Sequence, residues 1–226
     1  PRSPLFPYTT LFRSAQGNEG SWGQQDEMAL DRAIEGGSPA DKSQYDQIFS
    51  QFGQSQEGNC ASVAVIKAAL DKYEGKVFQE VKKSGDGYDI KMQDGKSVKV
   101  SKGELTRAAK AADLKGNPSE VKSMAILMFA AMAKRGSEEG MGNFDAVLKD
   151  MNNGFDPKKS AQLLGLGQKI KEVDPQSAGK NDAVVAWDNK HAVYVDEGKT
   201  DSYGQAKSFD GSNTRGGKLT KAIAFV

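Results

Sequence analysis

Among its 226 residues the chain has one cysteine and one histidine, and the setting of each suits nucleophilic chemistry. Cys60 follows Gly58-Asn59 and opens CASVAVIKAALDKY, whose nearly continuous apolar residues suit a helix buried on most sides. A thiol in the first turn of a helix feels the positive end of the peptide dipoles, which favours the thiolate, the nucleophilic form. The glycine before it lets a substrate come close to the backbone. His191 opens HAVYV, where two-residue alternation sets it on the face of Val193 and Val195. An imidazole brought to Cys60 would take its proton and activate it.

A thiol–imidazole pair that attacks carbonyls also requires a group to orient the imidazole and a donor for the oxyanion. Asp210, in SFDGSN, lies 19 residues after His191 and can accept the second imidazole N–H; Asn213 is the nearest alternative, with Asp196 and Asp201 behind it. Gln54, six residues before Cys60, can aim its amide at the same oxyanion as the Cys60 N–H, and Gln56, at four residues, is its alternative. Each residue also has an ordinary role to set against this one: core cysteine, strand-edge histidine, turn aspartate, solvated loop glutamine. Their order and spacing, considered jointly, favour the chemical reading.

Gln54-Ser55-Gln56-Glu57-Gly58-Asn59-Cys60 resembles the oxyanion-glutamine and nucleophile loop of papain-like cysteine peptidases, and Gly-Asn-Cys is closest to the Gly-Asp-Cys of the calpain branch. The family has its glutamine six residues before the cysteine, which selects Gln54 over Gln56. Lys190-His191-Ala192-Val193-Tyr194-Val195 resembles that branch's catalytic-histidine strand. The Cys60-to-His191 interval of 131 falls in the range of about 130–150 for papain and cathepsin enzymes. Phe144-Asp145-Ala146-Val147-Leu148, Gly154 and Ala161-Gln162-Leu163-Leu164-Gly165 are weaker echoes, so short matches span roughly residues 50–215.

The resemblance implies an α+β, papain-like fold: a helical half bearing the nucleophile helix, then an antiparallel β half. It implies a cysteine-type endopeptidase acting on protein or peptide substrates through a thioester, with a Cys60–His191–Asp210 triad, Gln54 as oxyanion donor and no cofactor. The sequence departs from the family where Ala61-Ser62 replaces the aromatic that usually follows the cysteine. It departs again where Asp210 before Gly211-Ser212 replaces asparagine before Pro-Trp or Ser-Trp. No calcium-binding partner domain is visible, so calcium dependence is not carried over. Two other readings keep the same residues. One is a protein-glutamine deamidase or transglutaminase-like effector, whose histidine usually lies much closer to its cysteine. The other is a papain-like interaction module without turnover.

The surrounding elements are legible in outline. Helices are predicted over Gln24–Glu35, within Asp41–Phe52, from Cys60 with Asn59 as N-cap, and over Leu105–Asp113 behind a Ser101/Glu104 capping box. Further helices are predicted from Pro118 to near Gly136 with Asn117 as N-cap, over Phe144–Met151 and over Lys158–Leu164. Strands are predicted over Val77–Lys82, along Tyr88, Ile90 and Met92, and on the return through Val98 and Val100 after an Asp94-Gly95 two-residue hairpin. Four more follow: Ala183–Trp187, His191–Val195, Ala206–Phe209 and Ala222–Val226. Helices first and strands last argue for α+β.

Basic and acidic residues nearly cancel, 31 against 30, which leaves no electrostatic footprint for nucleic acid or an anionic membrane. No apolar run reaches the ~18–20 residues of a membrane span. One cysteine and one histidine exclude an internal disulfide and a cysteine-based or multi-histidine metal site. Pro1–Ser14 has three prolines, two arginines and no acid, and PYTTLFRS resembles a translated sequencing adaptor, so this segment is expected to be non-native. Without Arg2 and Arg13 the net charge of +1 becomes -1. Residues 15–52 read as a loose helical extension and 53–226 as the peptidase-like domain. An adaptor-like start suggests a bacterial sequence from an environmental assembly. Cytoplasm, or secretion as an effector without a recognisable signal peptide, would suit it, and a toxin would bring a cognate inhibitor or immunity protein.

Overall fold

A computed structural model describes residues 22–35, 44–45 and 47–226. The adaptor-like segment Pro1–Ser14 lies outside the described residues, as do 36–43 and 46, part of the predicted helical piece from Asp41 to Phe52. Helix α1 (Gln24–Glu35) and the short α2 (Ile48–Gln51) lead to α3 (Cys60–Tyr73). Every residue of α3 from Ala61 to Leu70 is buried, which is why its text has no polar stripe. Three antiparallel strands follow: β1 (Glu80–Ser84), β2 (Gly87–Lys91) and β3 (Ser97–Ser101), with Tyr88, Ile90, Val98 and Val100 turned inward. The β2–β3 connection is longer than Asp94-Gly95 alone predicts. Met92 N–H donates to Lys96 O at 2.8 Å, and Gly95 adopts a φ of 84° inside the loop.

Ser101 starts α4 (Lys102–Ala112) through the capping box with Glu104. Helix α5 (Glu120–Glu138) starts later than Asn-Pro-Ser-Glu suggests. Ser119 is the N-cap, its hydroxyl accepting the Lys122 N–H at 3.1 Å, and Pro118 stays outside the helix. Helix α5 is buried from Val121 to Ala133, and α6 (Phe144–Met151) and α7 (Pro157–Leu163) complete the helical layer around it.

The second half is a six-stranded antiparallel sheet in the order β4 (Ile170–Glu172), β9 (Lys221–Phe225), β5 (Val184–Trp187), β6 (Ala192–Asp196), β7 (Lys199–Ser202), β8 (Gln205–Ser208). Neither β4 nor β7 is foreshadowed, because IKE and KTDS carry no sustained apolar alternation. Strands β5, β6 and β9 are buried on both faces. Val185, Trp187, Ala192, Tyr194, Ile223 and Phe225 join the helical core. Val184, Ala186, Val193, Val195, Ala222 and Ala224 form a second core with Leu219 and with Ala178 of a 3-10 helix (Pro175–Lys180). Burial on two sides explains why these strands read as continuous apolar runs rather than alternating ones. The architecture is therefore α+β, with helices first and an antiparallel sheet last.

Residues before Gly53 do not stand apart from this core: Leu30, Tyr45, Ile48 and Phe52 are all fully buried in it. The tie is partly ionic. Lys67 on α3 has no exposed surface, its Nζ lies 3.0 Å from Asp201 Oδ1 on β7, and it donates to the Phe49 carbonyl of α2 at 3.0 Å. The ammonium also sits 5.0 Å from the centroid of the Phe52 ring. Burial pushes the Lys67 pKa down and the Asp201 pKa up, and each charge opposes the shift of the other. Removing one partner of a buried pair leaves the other uncompensated and costs about 3–5 kcal/mol. Lys67→Met is expected to destabilise the fold by that amount, read as a lower denaturation midpoint with an unchanged slope in urea.

Candidate functional site

The loop that presents Cys60 is pinned on both sides. Gly53 exchanges backbone hydrogen bonds with Lys115, at 3.2 and 2.9 Å, and a Cβ on it would stand 2.7 Å from the Tyr203 carbonyl oxygen. Gly58 O accepts the Gly154 N–H at 3.2 Å, and any side chain on Gly58 would collide with the Asn152 carbonyl. Asn59 occupies the N-cap position of α3, but its side chain does not cap the helix. Its amide donates instead to Ala112 O at 2.9 Å, holding the start of α3 against the end of α4. Cys60 itself is half-buried. Its N–H belongs to the first helical turn, where backbone donors have no intrahelical acceptor.

His191 is set by a different device. Strand β6 begins at Ala192, so alternation does not extend to the histidine. Asp188 Oδ1 accepts the N–H groups of Lys190 at 2.7 Å and His191 at 2.8 Å, turning the chain just before the strand. The imidazole stacks on Tyr203, with ring centroids 5.9 Å apart and planes 22° from parallel. Gln54, Cys60, His191, Asp201 and Tyr203 line one cavity of about 10 Å³, room for roughly a single water. A larger groove of about 700 Å³ opens beside the same loop, lined by Glu57, Arg107, Lys110, Leu148, Asn152 and Asn153.

The two glutamines separate clearly. Gln54 is buried on the cavity and its Nε2 donates to Glu57 O, which leaves a second amide hydrogen, whereas Gln56 is exposed. The structure does not bring Asp210 to the histidine. Asp210 is exposed, its Oδ1 accepts the Ser212 N–H at 2.9 Å, and it does not line the cavity. Its place in a tight turn before Gly211, where φ is 84°, spends the carboxylate on its own backbone. Of the alternatives, Asp196 accepts the Ala183 N–H and Asp201 serves Lys67. Asn213 is buried but serves its own turn: its Oδ1 accepts the Arg215 and Gly217 N–H groups, at 2.8 and 3.0 Å, and its Nδ2 donates to Asp188 Oδ2 at 2.7 Å. His191 Nδ1 is buried and makes no hydrogen bond among the described residues.

Three residues at the site were not anticipated: Asp188, Tyr203 and Arg215. The Asp188-Asn189-Lys190-His191 run does carry a readable signal, an aspartate that can cap the backbone two and three residues on. Tyr203 and Arg215 carry none, since both reach the histidine only through tertiary contacts. Burial, then the Arg215 guanidinium, push the His191 pKa down to about 4, against the pull of Asp188. At neutral pH the imidazole is therefore neutral, a proton acceptor rather than half of an ion pair.

Among the described residues there is no group of three or more His, Cys, Asp or Glu able to hold a metal ion, and no helix is long and apolar enough to cross a membrane. Comparison with protein-family models, with curated proteins and with solved structures found no match.

A single histidine makes its charge directly measurable. Its imidazole NMR resonances should titrate with a midpoint near 4 rather than at the ordinary 6.5. Arg215→Gln should raise that midpoint, because it removes a neighbouring positive charge. The unfolded chain takes this proton near 6.5 and the folded chain only near 4. The histidine's contribution to stability is thus present above pH 6.5 and is lost as pH falls through 4, which acid-unfolding curves of the wild type and His191→Gln would compare.

Proposed function

We propose that the chain is a papain-like cysteine peptidase with Cys60 as nucleophile. The observation that carries this reading is that Gln54, Cys60 and His191, from a loop, a helix start and a strand start, line one cavity. Cys60 Sγ attacks the substrate carbonyl while the neutral His191 accepts the thiol proton, then delivers it to the leaving amine. The Cys60 N–H and the free amide hydrogen of Gln54 hold the oxyanion. Water, deprotonated by His191, then hydrolyses the thioester and frees the acid product. Asp188 takes the orienting role first expected of Asp210: it grips the backbone of His191 and is itself gripped by Asn213. It is a positioning residue, because it acts through the main chain rather than on the reacting atoms. The groove beside Glu57 and Asn153 offers space for an extended peptide, which supports a peptide over a small amide as substrate.

Time-resolved mass spectrometry of a mixed protein substrate, with wild type and Cys60→Ala in parallel, tests the reading. New peptide termini with wild type alone are the expected result. Gln54→Ala should lower kcat by about 10²–10³-fold, the cost of an oxyanion donor, while Gln56→Ala should leave it unchanged. Deamidated glutamine without chain cleavage would replace the peptidase with a deamidase. Silence from wild type, with Cys60 unreactive to iodoacetamide, would leave an interaction module.

A further inference from the structure

On the histidine side of the cavity the structure holds an exposed cation in place by a chain of hydrogen bonds. Arg215 sits at the tip of a turn closed by Asn213, which accepts the Arg215 and Gly217 N–H groups. The turn docks closely on the histidine loop, for a Cβ on Gly217 would stand 2.7 Å from Asn213 Nδ2 and also collide with Asp188 Oδ2. The guanidinium is fixed a second time, its Nε donating to the Tyr203 hydroxyl at 3.1 Å.

Tyr203 is a large aromatic left 38 % exposed and stacked on the His191 ring. Its φ of 54°, followed by 93° at Gly204, is that of the two-residue turn joining β7 to β8, and this hairpin turn carries the ring to the histidine. Arg215 is exposed, its terminal nitrogens make no hydrogen bond among the described residues, and Tyr203 links it to the His191 ring. The bond to Tyr203 and the Asp188 carboxylate raise the guanidinium pKa, and the guanidinium in turn lowers that of His191, so the imidazole lies within its field.

An imidazole that protonates the leaving amine must have that amine within hydrogen-bond reach. The residue following the scissile bond therefore lies over His191 and Tyr203, next to Arg215. We propose that Arg215 selects substrates with a carboxylate on the leaving-group side of the scissile bond, either an Asp or Glu side chain or the free α-carboxylate of a C-terminal residue. A guanidinium with two open nitrogens suits a carboxylate through charge-assisted, bidentate hydrogen bonds. This inference rests on the peptidase reading and names the substrate class of that site.

Cleavage sites are first mapped with wild type on a proteome-derived peptide library, and matched peptides are then made that differ only after the scissile bond. One set carries Asp, Asn or Lys there within a longer peptide; a second ends there as a free acid or an amide. Wild type should favour a carboxylate by about tenfold or more in kcat/KM, and Arg215→Glu should reverse the order toward Lys. The ratio within one enzyme is the readout, so a general loss of rate in the variant does not obscure it, and circular dichroism checks that the variant folds. A preference confined to the first set identifies a side-chain carboxylate; one confined to the second identifies the terminal carboxylate. Equal rates across both sets, or an unchanged order in Arg215→Glu, would overturn the inference and leave the peptidase standing. No cleavage of any library peptide would overturn both.

Discussion

Lys67 and Asp201 are the contact on which the site's two sides depend. An ammonium with no exposed surface in the middle of a buried helix must find an anion, and the carboxylate it finds lies on β7. Desolvation offsets much of the attraction in such a pair, so its contribution is geometric more than energetic. It registers α3, which starts at Cys60, against β7, which runs into the Tyr203-Gly204 turn. That turn touches Gly53 in the candidate nucleophile's loop and stacks on His191. Asp201 also accepts the Gly204 N–H at 3.0 Å, so one carboxylate holds both the helix and the turn. Together with the packing of β5 and β6 on α3, this register fixes Cys60 relative to His191.

The histidine is governed by a second network that the first makes room for. Asp188 takes two backbone N–H groups on one oxygen and the Asn213 amide on the other, which fully engages it. Asn213 in turn closes the loop that carries Arg215. Burial first, then the Arg215 guanidinium, keep the imidazole neutral against the pull of Asp188, which suits a proton acceptor.

Double-sided burial of β5, β6 and β9 gives this arrangement its rigidity. The face toward α3 packs into the helical core, and the opposite face is closed by the 3-10 helix and Leu219. Sites built on such elements hold their geometry better than sites on free loops. The loop of Cys60 is held instead by the helical half, through Gly53, Gly58 and Asn59, tied to Lys115, Gly154 and Ala112.

By itself the sequence determined the elements and the residues capable of chemistry. Apolar period and capping signals gave α1 and α6 to the residue, α3 from its first residue, and the inward faces of β2 and β3, because these depend on local spacing and nearby backbone donors. It also separated Gln54 from Gln56, through spacing and the family resemblance. It fell short wherever a polar group had a choice of partner. Asn59 could cap its own helix or bind Ala112, 53 residues on, and it binds Ala112. Asp210 could reach the imidazole or its own turn, and it takes the turn. A carboxylate or amide is equally satisfied by a near or a distant donor, so local pattern does not decide between them. Asp188 reaches His191 within its own turn, but only tertiary packing brought Tyr203 and Arg215 to the imidazole and set the Lys67–Asp201 pair beneath it, because local pattern does not specify contacts between separate elements.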